Sequence, residues 1–139
     1  MADTGPRFTR AQTCAILKIP LARLHSLERI GVCAADESRT YGDTHPALYD
    51  WRTVSLVSAV VQAEAFGIKG QRLVALAKGI QLRRHLLHQN WRGWIIWDHR
   101  GPVDLVGEQQ GLANLTHAVP LLLIPLDCQA LVGHDLART

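Results

Sequence analysis

An α+β fold is what this 139-residue sequence predicts, helical in its N-terminal part with a small β-β-α-β unit behind it. Three observations carry the prediction. Apolar residues recur at helical spacing through Arg7–Val32 and again from Trp51 to about Lys78. A polar stretch rich in turn residues, Ala34–Leu48, separates those two regions. From Trp91 onward the chain changes to aromatic and β-branched runs broken by Gly and Pro, which favour strands. The expected division is residues 1–90 for the helical part and 91–139 for the β-β-α-β unit.

The first helix is expected over Arg10–Leu17. Thr9 and Gln12 stand three apart and form a capping-box pattern, with Ala11, Cys14, Ala15 and Leu17 facing inward. Lys18-Ile19 is the turn, and Pro20 opens a second helix over Leu21–Ile30, closed by Gly31. Leu21, Leu24, Leu27 and Ile30 form its expected buried stripe, leaving Arg23, His25, Ser26 and Arg29 on the flanks or outside. Ala34–Leu48 reads as a hairpin or loop carrying Arg39, Tyr41 and His45, with Gly42, Asp43 and Pro46 as turn residues. Asp50 is a suitable N-cap for a third helix, Trp51–Ala65, closed by Gly67. A fourth is expected over Lys69–Lys78, with a continuation toward Gln89 that Gly79 weakens.

Behind these, Trp94–Trp97 reads as a strand, His99–Pro102 as a turn and Val103–Val106 as the return strand. Glu108–Ala118 is expected to be a short helix, Val119–Leu126 a buried strand, and Gln129–Arg138 one or two helical turns.

Composition narrows the class. At 47% hydrophobic residues the chain can bury a core. No apolar run reaches the ~20 residues a bilayer span requires, so no membrane partner is expected. The N-terminal MADTGPRF lacks an apolar signal segment, and a cytoplasmic protein is the expectation. Cys14, Cys33 and Cys128 are far apart, with no CxxC spacing, and read as buried or half-buried thiols in a reducing compartment. Charge is unevenly spread: residues 1–93 carry 13 Lys+Arg against 7 Asp+Glu, and residues 94–139 carry 2 against 5. A basic front half suits a polyanionic partner.

Two short helices at a tight turn, with basic residues on the second, suit insertion into a DNA major groove. The succession FTRAQTCAILKIPLARLHSLERIGV, a polar wing, LYDWRTVSLVSAVVQAEAFGI and KGQRLVAL resembles the DNA-binding domain of MerR-type regulators. The closest local match is L-x-x-x-E-R-I-G-V at Leu24–Val32, and the resemblance covers about residues 7–80. It implies a winged helix-turn-helix followed by a helix pair. The sequence also departs from the family. His25, Ser26 and Leu27 stand where an arginine or aromatic residues are usual, and Ala47 replaces the arginine two residues before the wing's closing tyrosine. The family's long coiled coil after the fourth helix has no counterpart of similar length.

The DNA-contact candidates are Thr9 and Arg10 at the start of the first helix, and Arg23, His25, Ser26 and Arg29 on the second. Arg39, Tyr41, His45, Tyr49 and Arg52 follow in the wing and just after it. Arg and His can reach base edges, while hydroxyls and wing arginines suit phosphates or the minor groove. Glu28 is expected to pair with an arginine within the protein, and Arg83-Arg84 to lie on a DNA-facing or solvated surface. Trp91, Trp94 and Trp97 form an aromatic cluster suited to a core, a dimer contact or an effector pocket. His85 and His88 stand three apart without a further ligand nearby, so no metal and no cofactor is expected. No nucleophile-elbow, phosphate-loop or paired-carboxylate motif is present, and no enzymatic activity is expected.

The first functional reading is a sequence-specific DNA-binding transcriptional regulator, a repressor or autoregulator. It would bind double-stranded DNA as a homodimer held by the C-terminal unit. A second reading is the antitoxin of a toxin–antitoxin pair, whose C-terminal half binds a protein partner. A third is a phage-type excision or architectural DNA-binding factor.

Overall fold

A computed structural model of the chain describes residues 6–35, 48–97, 103–108 and 122–132. The architecture is α+β. Strand β1 (Arg7–Thr9) leads into helices α1 (Arg10–Leu17) and α2 (Leu21–Ile30). Strand β2 (Leu48–Asp50) leads into α3 (Trp51–Ala65) and α4 (Gln71–Leu82), followed by a 3-10 turn at Arg84–Leu86. Strands β3 (Arg92–Trp97), β4 (Asp104–Gly107) and β5 (Leu122–Asp127) and the short helix α5 (Cys128–Val132) complete the described chain.

Local chemistry sets the N-terminal boundaries. The Thr9 hydroxyl accepts from the Gln12 amide at 3.1 Å, and the Thr9 amide donates to Gln12 Oε1 at 2.9 Å. That reciprocal cap starts α1 as the sequence predicts. Inside α1 the order of burial differs: Thr13 is buried, while Ala11 and Ala15 are exposed. The Thr13 hydroxyl donates to the Thr9 carbonyl at 2.9 Å, which removes the cost of burying it. In α2, Leu24 and Leu27 are fully buried, but Leu21 and Ile30 are 49% and 42% exposed. A spacing of three lags the helical repeat by about 60° per step, so a stripe of four such residues winds off the core at both ends. Asp50 caps α3 by accepting from the Thr53 amide at 2.7 Å.

Two antiparallel sheets frame the helices. β1 pairs with β2, setting Phe8 opposite Tyr49. The second sheet has the order β4-β3-β5, with Ile95 opposite Leu105 on one side and Ile124 on the other. These three side chains are buried on the inner face, toward α3 and α4. Ile96, on the opposite face, is also buried within the single chain, so its burial needs no second copy. The strand expected to be buried is so on one face only, at Ile124 and Leu126; among the described residues it lies at the edge of the sheet, with Leu123 and Pro125 exposed. Proline is tolerated there because an edge leaves one row of amides unpaired.

Helix α3 is the centre of the molecule, buried on nearly all sides from Trp51 to Ala63. One apolar cluster joins Phe8, Leu24, Leu27 and Tyr49 through α3 to Ile95, Ile124 and Cys128. Helix α4 starts and ends later than the spacing suggests and runs through Gly79. A methyl group there would sit 2.7 Å from Val103 Cβ, so glycine is what admits the strand region to the helix. Gly93 serves the same end in β3: an added Cβ would meet Gly107 Cα at 2.8 Å and the Trp91 ring at 3.0 Å. No helix is long and apolar enough to cross a membrane among the described residues. The wing candidates Arg39, Tyr41 and His45 and most of the expected helix at Glu108–Ala118 lie outside the described residues.

Candidate nucleic-acid interface

The outward face of α2 is built by its two buried leucines. With Leu24 and Leu27 fixed inward, the helical repeat places Ala22, His25 and Arg29 on the opposite side, and all three are exposed. Ser26 lies beside them, half-buried. Lys18, the αL residue that ends α1 (φ 59°), is exposed just before the helix. The turn therefore presents Lys18, His25 and Arg29 around a small apolar surface made by Leu21 and Ala22.

Two of the five arginines expected at the bases or phosphates are held by carboxylates of their own chain. Arg23 leans sideways to α3, where its Nε donates to Glu64 Oε1 at 3.1 Å. Arg10 donates through Nε to Glu28, at 3.1 and 3.3 Å from its two oxygens. Glu28 thus pairs with an arginine of its own chain, as the sequence suggests. It also receives the Tyr49 hydroxyl and has His25 Nδ1 3.2 Å from Oε1. With its side chain only 15% exposed, Glu28 offers little negative charge to solvent. It is the one acid among residues 6–35, against five Lys+Arg.

Tyr49 is a correction to the contact set. It is fully buried, and its ring packs in the core while its hydroxyl serves Glu28. Burial, and then the hydrogen bond to Glu28, raise its pKa well above the ordinary value, so it stays a donor. Cys33 is next to this group. Burial drives its thiol up to about 11, with a hydrogen bond from Tyr49 opposing and Glu28 adding to the rise. Burial and then Glu28 also raise Cys14.

Arg52 is also engaged within its own chain. Its guanidinium lies 4.5 Å from the Trp51 ring centroid, and Nη2 donates to the Leu87 carbonyl at 3.4 Å. That places it against the residue that follows the 3-10 turn. Arg83 and Arg84 are likewise engaged internally, on the Val103 carbonyl at 3.1 Å and on Asp50 at 2.8 Å. Burial pushes the Asp50 carboxyl up, but the Thr53 hydrogen bonds and Arg84 outweigh it and hold the group below its ordinary value. Thr9 is occupied as a cap and stays half-buried at the start of α1.

The aromatic cluster is mostly core. Trp91 and Trp97 are 8% and 6% exposed, and only Trp94 is partly accessible. Arg72 of α4 lies 5.9 Å from the Trp97 ring centroid. A cavity of about 540 Å³ opens beside Trp91, Arg92 and Glu108. Arg92 there is tied to Glu108 and Asp127, at 3.3 and 3.1 Å. Among the described residues no group of three His, Cys, Asp or Glu side chains is placed to hold a metal ion.

The structure therefore brings His25, Ser26 and Arg29 together and takes Arg23, Tyr49 and Arg52 away from them. It adds Lys18 and Ala22, which the sequence does not single out, and Leu21, which its spacing assigns to the buried stripe. Ala22 was open to the same reasoning, since it stands three residues before His25 and seven before Arg29. No protein-family model matches the chain, and no curated protein matches it.

Proposed function

We propose that the protein is a sequence-specific DNA-binding transcriptional regulator acting as a homodimer, with α1 and α2 as a helix-turn-helix and α2 as the reading helix. The observation that carries the reading is the outward face of α2. It holds His25, Ser26 and Arg29 beside Lys18, and the nearby acid is saturated by internal donors. Such a face is complementary to a phosphate backbone and narrow enough for a major groove. The resemblance of residues 7–80 to MerR-type regulators supports the same reading. One α2 reads one half-site, so a two-fold operator calls for two copies.

Regulation by promoter occupancy, as a repressor or autoregulator, fits better than promoter untwisting. After α4 ends at Leu82 the described chain passes into a 3-10 turn and strands rather than a long helix. Sequencing the genomic DNA that co-purifies with the full chain tests the proposal, with a single enriched motif as the expected result. On that motif, Arg29→Ala weakens binding and flattens the salt dependence by about one phosphate contact. Arg23→Ala, which frees Glu64 instead, changes the salt dependence far less. No enrichment over input DNA, or an Arg29→Ala variant that binds as tightly as the parent, overturns it.

A further inference from the structure

We infer that the first turn of α2 reads the 5-methyl group of thymine through Leu21 and Ala22, an inference that rests on the DNA-binding reading above. In a helix-turn-helix the N-terminal residues of the second helix lie nearest the base edges. Here those residues are apolar and exposed: Leu21 is 49% accessible and Ala22 is exposed beside it. The long donors that could displace them are committed elsewhere, Arg23 to Glu64 and Arg10 to Glu28. Arg29 and Lys18 flank the apolar surface and supply charge complementary to the two phosphate strands.

The major-groove edges of adenine, guanine and cytosine present hydrogen-bond donors and acceptors, whereas thymine adds one apolar group, its C5 methyl. Leu21 and Ala22 set against a polar edge would strip its water and return no hydrogen bond. Set against a thymine methyl they bury apolar surface from both sides. His25, one turn on, meets Glu28 through Nδ1 and keeps Nε2 for the neighbouring polar edge, so the half-site is expected to pair a methyl-bearing position with an adjacent hydrogen-bonding one.

Deoxyuridine isolates the methyl group, because it keeps the base pair and every polar atom of thymine. Duplexes are enriched from a random pool by the full chain, and each thymine of the winning sequence is then replaced singly by deoxyuridine. Affinity is measured at one fixed salt concentration. At one or two positions per half-site the replacement is expected to weaken binding roughly threefold to fourfold, the transfer of one methyl out of water. Leu21→Ala or Ala22→Gly is expected to abolish that penalty at its own position. Deoxyuridine tolerated at every position overturns the inference and leaves the DNA-binding reading standing. A penalty that persists unchanged in both variants assigns the methyl contact to another group and also overturns it. A pool that yields no enriched duplex overturns both readings. The deoxyuridine series on the unmutated chain decides the matter even where Ala22→Gly weakens the helix.

Discussion

Tyr49 donates its hydroxyl to the carboxylate of Glu28, tying the strand that precedes α3 to α2 from within the core. Arg10 and His25 meet the same carboxylate, so one acid fixes α1, α2 and β2 relative to one another. Tyr49→Phe should cost about 1 kcal/mol, the loss of one hydrogen bond. Glu28→Ala should cost about 2–3 kcal/mol, because a buried hydroxyl and the Arg10 guanidinium both lose their acceptor. Urea denaturation measures both. Equal midpoints for the two variants would show that Glu28 is not the shared acceptor.

Asp50 gives a pH signature. Its folded-state pKa lies below the ordinary 3.8, so its contribution is complete above that value and disappears as pH falls through the lower folded value. Asp50→Asn keeps an acceptor for the Thr53 amide but loses the charge that faces Arg84. Both partners are partly exposed, which limits the pair to roughly 0.5–1 kcal/mol. The variant should be less stable by that amount at neutral pH, and the gap should close below pH 3.8. Thermal melts of the two proteins across that range test it, and a gap that stays constant with pH refutes it.

Cys33 should be a slow thiol. With its pKa at about 11 instead of 9.0, it holds roughly a hundredfold less thiolate than a free cysteine at the same pH. Iodoacetamide at pH 8, followed by mass spectrometry, should label Cys33 quickly only after unfolding. The shift is upward, so the stability it represents is complete below 9.0 and is lost as pH rises toward 11. Fast labelling of the native protein at Cys33 would contradict this.

Gly79→Ala should destabilise a helix that alanine ordinarily favours. Propensity alone gives alanine about 1 kcal/mol over glycine in a helix interior. The new methyl would press on Val103, which is buried and whose carbonyl is held by Arg83. Overpacking of this kind costs about 1–3 kcal/mol, and adding Val103→Ala should recover part of it. A rise in melting temperature for Gly79→Ala alone would mean that the helix and Val103 are not in contact.

Much of the helical part is legible in the sequence because its punctuation is local. Thr9 with Gln12, Pro20, Gly31 and Asp50 each act within one turn, and α1, α2 and α3 fall where they say. Helix α4 depends on a distant residue, since Gly79 looks like a break until Val103 is brought against it. The contact residues were harder for the same reason. Arg23 and Glu64 are 41 positions apart, and Glu28 and Tyr49 are 21 apart. Nothing in their spacing tells an arginine held by a carboxylate from one left to meet a ligand. The outward placement of His25 and Arg29 is legible because a helix repeat alone puts them opposite Leu24 and Leu27.

Helix α3 has a consequence for how the chain can be handled. One of its flanks packs on α4 and β2 and holds Arg23 of α2 through Glu64, and the other packs on β5 and α5, with Gln62 bonded to the Pro125 carbonyl at 3.0 Å. Cutting the chain after residue 90 would leave Ser55 and Gln62 facing water where Cys128 and the sheet had been. The fragment should aggregate rather than survive as a portable reading head. Because one apolar cluster runs from Leu24 and Leu27 through α3 to Ile124 and Cys128, whatever grips the sheet is expected to raise the melting point of α1 and α2 as well.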